Sequence, residues 1–153
     1  MTATLATRSK NEPRVEDDAL VRGNGRFMDD PRLPGQAYAA FLRSPHAHAR
    51  VLSVKADEAR KAKGVLAVLT AEDMKAAGVG SVSRHPPVPG RGGAKMAMPF
   101  RPSLAGDKVM HAGEPVAMVV AETSAIALDA AELIVADYEE LPAAVDLQSA
   151  MKA

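Results

Sequence analysis

The chain contains no cysteine and no tryptophan, and only two tyrosines and three phenylalanines among its 153 residues. Without cysteine these residues cannot supply a disulfide, a thiolate nucleophile, a Cys-based zinc site or the ligands of an iron–sulfur cluster. So few rings argue against a surface that stacks nucleobases on aromatic side chains. Net charge is missing as well, because 19 Lys and Arg balance 19 Asp and Glu. A chain-wide basic field for nucleic acid or anionic lipid is therefore absent. No stretch approaches the ~18 apolar residues of a membrane span. The opening residues, MTATLATRSKNEPR, lack the apolar run of a secretory signal. The expectation is a soluble, cytoplasmic protein with no nucleic-acid partner and no membrane span.

What is present is aliphatic. The hydrophobic fraction is 47%, so the core must be built from Ala, Val, Leu, Ile and Met. A chain of this length buries roughly 68–70% of its unfolded surface, enough for one real core. Residues 1–14 are polar and read as a frayed tail. Residues 15–153 read as a single domain.

Turn residues punctuate the chain. Gly23, Asn24 and Gly25, then Asp29-Asp30-Pro31, bracket a short expected strand at Arg26–Met28. After Leu33-Pro34-Gly35, residues Gln36–Arg43 read as a buried strand, and Arg50–Lys55 as the next. Asp57–Lys63 reads as a short helix stopped by Gly64. The uninterrupted run Val65–Leu69 has the pattern of a central strand. Thr70 and Asp73 form a capping pattern for a helix that Gly78 ends. Residues 79–102 are rich in Pro, Gly and basic side chains and read as a long loop. Lys108–His111 and Pro115–Glu122 read as strands. Thr123 caps a helix expected to run to about Ala136, with Ile126, Ala130, Leu133 and Ile134 on one face. A last strand is expected at Tyr138–Leu141, and a final turn of helix at Leu147–Met151, capped by Asp146. The sum is an α+β fold, a mixed β-sheet packed with two or three helices.

Candidate chemistry is sparse. In RSPHAHAR, residues 43–50, His46 and His48 would point to one side of an extended chain. Zinc needs at least three protein ligands. His85 or His111 would have to supply a third from far away in sequence. A strand corner at Ser44-Pro45, with imidazoles bonded to backbone groups, accounts for the pair without a metal. A His-based metalloenzyme would instead hold stoichiometric zinc through the two rings. Gly23 and Gly25 start a G-x-G with no third glycine, and GRGG at 90–93 lacks the following Lys-Ser or Lys-Thr of a phosphate loop. Arg84, Arg91, Lys95 and Arg101 form a basic stretch suited to a phosphate or an acidic surface. Glu139 and Glu140, adjacent on a strand, would face opposite ways. No nucleophile–base–acid constellation emerges, and no residue is expected to be catalytic, cofactor-binding or metal-binding.

The order of segments is more specific than any one motif. RVEDDALVRGNGRFMDD (14–30), LPGQAYAAFLRSPHAHARVLSV (33–54), KGVLAVLTAEDM (63–74), LAGDKVMHAGEPVAMVVAET (104–123) and ALDAAELIVADYEELPAAVD (127–146) follow one another. In this the chain resembles the N-terminal a/b hammerhead domain of the molybdopterin-binding large subunit of the xanthine dehydrogenase, aldehyde oxidase and carbon monoxide dehydrogenase family. The resemblance implies an a/b hammerhead-like fold within a molybdenum-dependent oxidoreductase. It implies a molybdenum–pterin cofactor, iron–sulfur clusters and FAD in the complete enzyme, none bound by this chain. The implied partners are the remainder of the molybdopterin-binding subunit and the iron–sulfur and flavin subunits or domains. The catalytic glutamate and pterin loops of such enzymes lie beyond the hammerhead domain, so the chain is expected to be a structural and assembly domain, not catalytic alone. The alternative is a stand-alone binding module that reuses the fold, its exposed face covered by self-association. The resemblance leaves the substrate open.

The basic loop is expected to lie against an iron–sulfur or flavin partner, or to border the substrate channel. Deleting Ser83–Met98 should then impair subunit assembly or turnover; unchanged values of both, measured on the purified complex, would remove that role.

Overall fold

The computed structural model describes residues 14–28, 30–82, 90–95 and 98–151. It divides into two compact units, Met1–Gln36 and Ala37–Ala153. The tail expected at residues 1–14 lies outside the described residues except for Arg14.

In the first unit a helix, α1, spans Asp17–Val21, a stretch for which the sequence had suggested no element. Asp17 and Asp18 sit in its first turn, where negative charge suits the helix dipole. Its end is a Schellman motif: Gly23 N–H donates to Leu20 O and Asn24 N–H to Ala19 O, with Gly23 at φ +72°. The Gly-Asn signal therefore stops a helix rather than bounding a strand. The strand expected at Arg26–Met28 is absent. A turn replaces it, in which Asp30 Oδ2 accepts from Phe27 N–H at 2.7 Å and Asp30 N–H donates to Phe27 O.

The second unit holds two three-stranded sheets. Its strands are β1 (Tyr38–Arg43), β2 (Ala49–Lys55), β3 (Val65–Thr70), β4 (Lys108–Val109), β5 (Pro115–Ala121) and β6 (Val135–Glu140). One sheet has the order β1-β5-β3 and the other β4-β2-β6, and every pairing is antiparallel. The α+β class is borne out. The mixed sheet resolves into these two antiparallel sheets. The helices are α2 (Asp57–Lys61), α3 (Ala71–Ala76), α4 (Ser124–Glu132) and α5 (Leu147–Ala150).

The main core lies between one face of the first sheet and the helices α2 and α4. Ala40, Val68, Ala117, Val119 and Ala121 meet Ala56, Ala59, Ala127, Ala130 and Ala131 there. Small side chains on both sides let helix backbone and sheet approach closely. A second, smaller cluster joins the inner face of the other sheet to β5 through Ala49, Ala105, Val109 and Val116. Paired with both β1 and β3, β5 is the central strand, with Val116 buried on the side away from the main core. The run at β3, expected to be central, is an edge, with Leu66 58% exposed. Periodicity alone cannot separate two uninterrupted apolar runs; the pairing partner decides.

The caps follow the sequence. Thr70 N–H and Oγ donate to Asp73 Oδ2 at 2.7 and 2.8 Å. These bonds hold the Asp73 carboxyl below its usual range. A depressed carboxylate stabilises the fold above its unfolded value, and that contribution is lost as pH falls through the folded one. Gly64, at φ +83°, turns the chain into β3. A Cβ there would stand 2.8 Å from Ile126 Cδ1, the movable end of a side chain, so the positive φ is what favours glycine.

Helix α2 ends at Lys61, two residues early. Helix α4, capped by Thr123 Oγ1 accepting from Ile126 N–H, ends at Glu132 rather than near Ala136. Residues Val135, Ala136 and Asp137 join β6 by pairing with Lys55, Val54 and Ser53 of β2. Val135 and Ala136, expected as the end of the helix, are taken instead by cross-strand pairing.

Ala130 is 1% exposed against the sheet. Replacing it by Leu should cost about 1–3 kcal/mol through overpacking. Leu128→Ala, on the same helix and 60% exposed, should stay within about 0.5 kcal/mol. Urea midpoints of the two variants check the difference.

Candidate functional site

The one place where the sequence set histidines together is the corner between β1 and β2. Ser44 is buried there, and its backbone is stapled to the turn before β5: Ser44 N–H donates to Glu114 O, and Gly113 N–H to Ser44 O. Arg43 Nη1 donates to Gly113 O at 2.9 Å. Ser44 Oγ accepts from His46 N–H at 3.0 Å, tightening the bend around Pro45.

Both imidazoles reach the stretch that leaves β6. His46 Nδ1 lies 2.8 Å from Glu140 Oε1, and His48 Nδ1 lies 2.7 Å from Pro142 O. A carbonyl only accepts, so His48 carries its hydrogen on Nδ1. Leu141 N–H donates to His48 O, which completes a three-point clasp between residues 46–48 and 140–142. The His46 ring also stands over Tyr138, with centroids 5.1 Å apart. Burial pushes the Tyr138 hydroxyl above its usual range. His48 Nε2 and Tyr138 OH are buried without a hydrogen-bond partner among the described residues.

The backbone acceptor expected for the histidines is thus found for His48. For His46 the acceptor is a carboxylate, which sequence reasoning missed. The available signal was spacing: Glu140 and Pro142 are two apart, as His46 and His48 are. It becomes readable only once the β2–β6 register is known.

The other candidates scatter. His111 lies at the turn, 3.6 Å from Glu114 Oε2. His85 and Arg84 lie outside the described residues. Glu139 pairs with Arg50 at 2.6 Å while Glu140 takes His46, so the adjacent carboxylates serve different partners. Gly23 sits in the α1 stop. Arg91–Gly93 form a single 3-10 turn, with Gly92 at φ +71°. Lys95 and Arg101 are exposed. The loop that carries them is tied at its base, where Val82 N–H donates to Arg101 O and Arg101 N–H to Ser81 Oγ.

Among the described residues no group of three or more His, Cys, Asp or Glu is placed to hold a metal ion, and the whole sequence offers no thiolate. No helix of the described residues is long and apolar enough to cross a membrane. The corner holds backbone in place.

Residues 22–142 match the family model of the a/b hammerhead domain of aldehyde oxidase and xanthine dehydrogenase. The chain belongs to this family, as the order of its segments suggested. It is 40% identical over 147 residues to the carbon monoxide dehydrogenase large chain of Afipia carboxidovorans, covering 91% of this chain and 16% of that one. It is 36% identical to the nicotine 6-hydroxylase large subunit of Paenarthrobacter nicotinovorans, with 90% and 16% covered. The solved structure of quinoline 2-oxidoreductase from Pseudomonas putida 86 superposes with a TM-score of 0.80 at 37% identity, over 91% of this chain and 17% of that one. The chain therefore spans about a sixth of the length of the relatives it matches.

Replacing His46 and His48 together by Ala removes two points of the clasp and a ring contact. The double variant is expected to lose about 1–3 kcal/mol, to expose the Leu141 amide to faster hydrogen exchange, and to leave metal content unchanged. Elemental analysis beside exchange mass spectrometry checks all three.

Proposed function

We propose that this chain is the hammerhead scaffold of a molybdenum hydroxylase-type oxidoreductase, giving shape and assembly contacts to a large chain whose chemistry is done elsewhere. The observation that carries the reading is the match of residues 22–142 to the hammerhead family, supported by 40% identity to a carbon monoxide dehydrogenase large chain. The corner supports it too. Every identified partner of His46 and His48 is structural, and RSPHAHAR is spent on tying two strands to the exit of a third.

On this reading the complete enzyme carries the molybdenum–pterin cofactor, iron–sulfur clusters and FAD on the remainder of the large chain and on further subunits or domains. On this reading those groups are held outside this chain, and its residues take no part in the redox steps. The enzyme works in the cytoplasm. The relatives named above act on different substrates, and nothing in the corner favours one of them.

The test is a tagged pull-down from the native cell, with intact-mass spectrometry and metal analysis on one sample. The expected result is co-purification with a large-chain partner of this family together with molybdenum and iron. Recovery alone, at its own mass and without those metals, would overturn the proposal in favour of a self-sufficient binding module.

A further inference from the structure

The two sheets treat their second faces in opposite ways. The outer face of β4-β2-β6 is ionic. Arg50 pairs with Glu139 at 2.6 Å and Lys55 with Asp137 at 3.3 Å, and Ser53 Oγ donates to Asp137 at 2.6 Å. That is the composition of a sheet face turned to water.

On the face of β1-β5-β3 turned away from α2 and α4, two successive rows consist of uncharged residues, with the Arg43 guanidinium 5.5 Å from the Phe41 ring centroid at their edge. Ala39, Val120 and Ala67 lie side by side across the three strands, and Phe41, Met118 and Leu69 form the next row. None of the six belongs to either core cluster of the described residues, and Phe41 is 41% exposed. Antiparallel sheets that face water alternate apolar and polar residues, whereas sheets covered on both sides read apolar throughout. A patch of aliphatic and aromatic side chains bordered by a single arginine has the composition of a protein interface.

We infer that this face, centred on Met118, is the docking surface for the remainder of a molybdenum hydroxylase large chain. The inference rests on the function proposed above. Its occupant follows from the length of chain with which the domain occurs. In the carbon monoxide dehydrogenase relative the matched region is 16% of the chain, and in the solved quinoline 2-oxidoreductase it is 17%. A neighbour within one assembly is present at high effective concentration. It can cover such a patch permanently, which a solvated domain could not do for itself. The face is continuous with the interior at Val116, which lies two residues before Met118 on the same side of β5 and is fully buried in the second cluster. The surface thus extends an existing core outward.

The experiment uses the full tagged chain in its native cell, as wild type, Met118→Lys, Phe41→Lys and Leu52→Lys. Leu52 is 59% exposed on β2 in the other sheet and serves as the control. The reading is the amount of large-chain partner, identified by mass spectrometry, recovered per mole of tagged chain. In parallel, the oxidation rate of Met118 is followed in the wild-type complex and in the free chain. The expected result is recovery reduced roughly tenfold or more by a buried lysine at either face position, unchanged recovery with Leu52→Lys, and Met118 protected in the complex. Wild-type recovery with both face variants, or Met118 oxidised equally fast in complex and free chain, would overturn this surface and leave the proposed function standing. If both lysine variants unfold by circular dichroism, the oxidation rates on the wild type decide. Failure of the wild type itself to recover a large chain would overturn the proposed function and this inference together. Wild-type dimers that the face variants dissolve would assign the surface to a second copy and overturn the occupant named here.

Discussion

The close approach of α4 to the central strand β5 is the constraint on which the rest of the second unit depends. Ala127, Ala130 and Ala131 meet Ala117, Val119 and Ala121 with almost no exposure. A core made of such small groups gains little per residue from burial, because each methyl contributes only about 0.8 kcal/mol. It compensates by density: interiors pack like crystals, and small side chains fill narrow spaces without voids. Beside it, Gly64 at φ +83° lets the chain turn into β3 close to Ile126. Once β5 is fixed by α4, it sets the register of β1 and β3. Its beginning, Val116, then ties the first sheet to the cluster beneath the second.

Much of this was legible in the chain. The caps at Thr70, Thr123 and Asp146 were read correctly because capping is local: a side chain three residues away satisfies the orphan N–H groups. The α+β class and the order of β1, β2 and β3 followed from turn residues and apolar runs. What failed was whatever depended on a distant partner. Val135 and Ala136 looked helical until β2 paired with them, and Val65–Leu69 looked central until β5 took that place. Asp17–Val21 was missed because turn signals that close a helix also border strands. The corner was half legible. A structural role for His46 and His48 could be set against a metal site, but Glu140 as a partner 94 residues away could not.

The function was legible only through the succession of segments. No residue in the described structure announces chemistry, and the family could not have been deduced from the corner, the glycines or the basic loop. This follows from what a scaffold is. A catalytic site is a small set of reactive groups in fixed geometry, and such sets leave marks at short spacings. A domain that shapes an assembly distributes its specificity over many apolar contacts, each ordinary by itself.

The tie between Ser81, Val82 and Arg101 has a consequence for how this domain tolerates change over evolutionary time. A loop whose two ends are bonded to each other hands no strain to the strands beyond the knot. Its length then enters the stability of the domain only as closure entropy, in which each doubling costs about 0.6 kcal/mol. Insertions and deletions between those anchors are therefore nearly silent in the fold. As far as the fold is concerned, an added peptide could be carried there without disturbing the sheets.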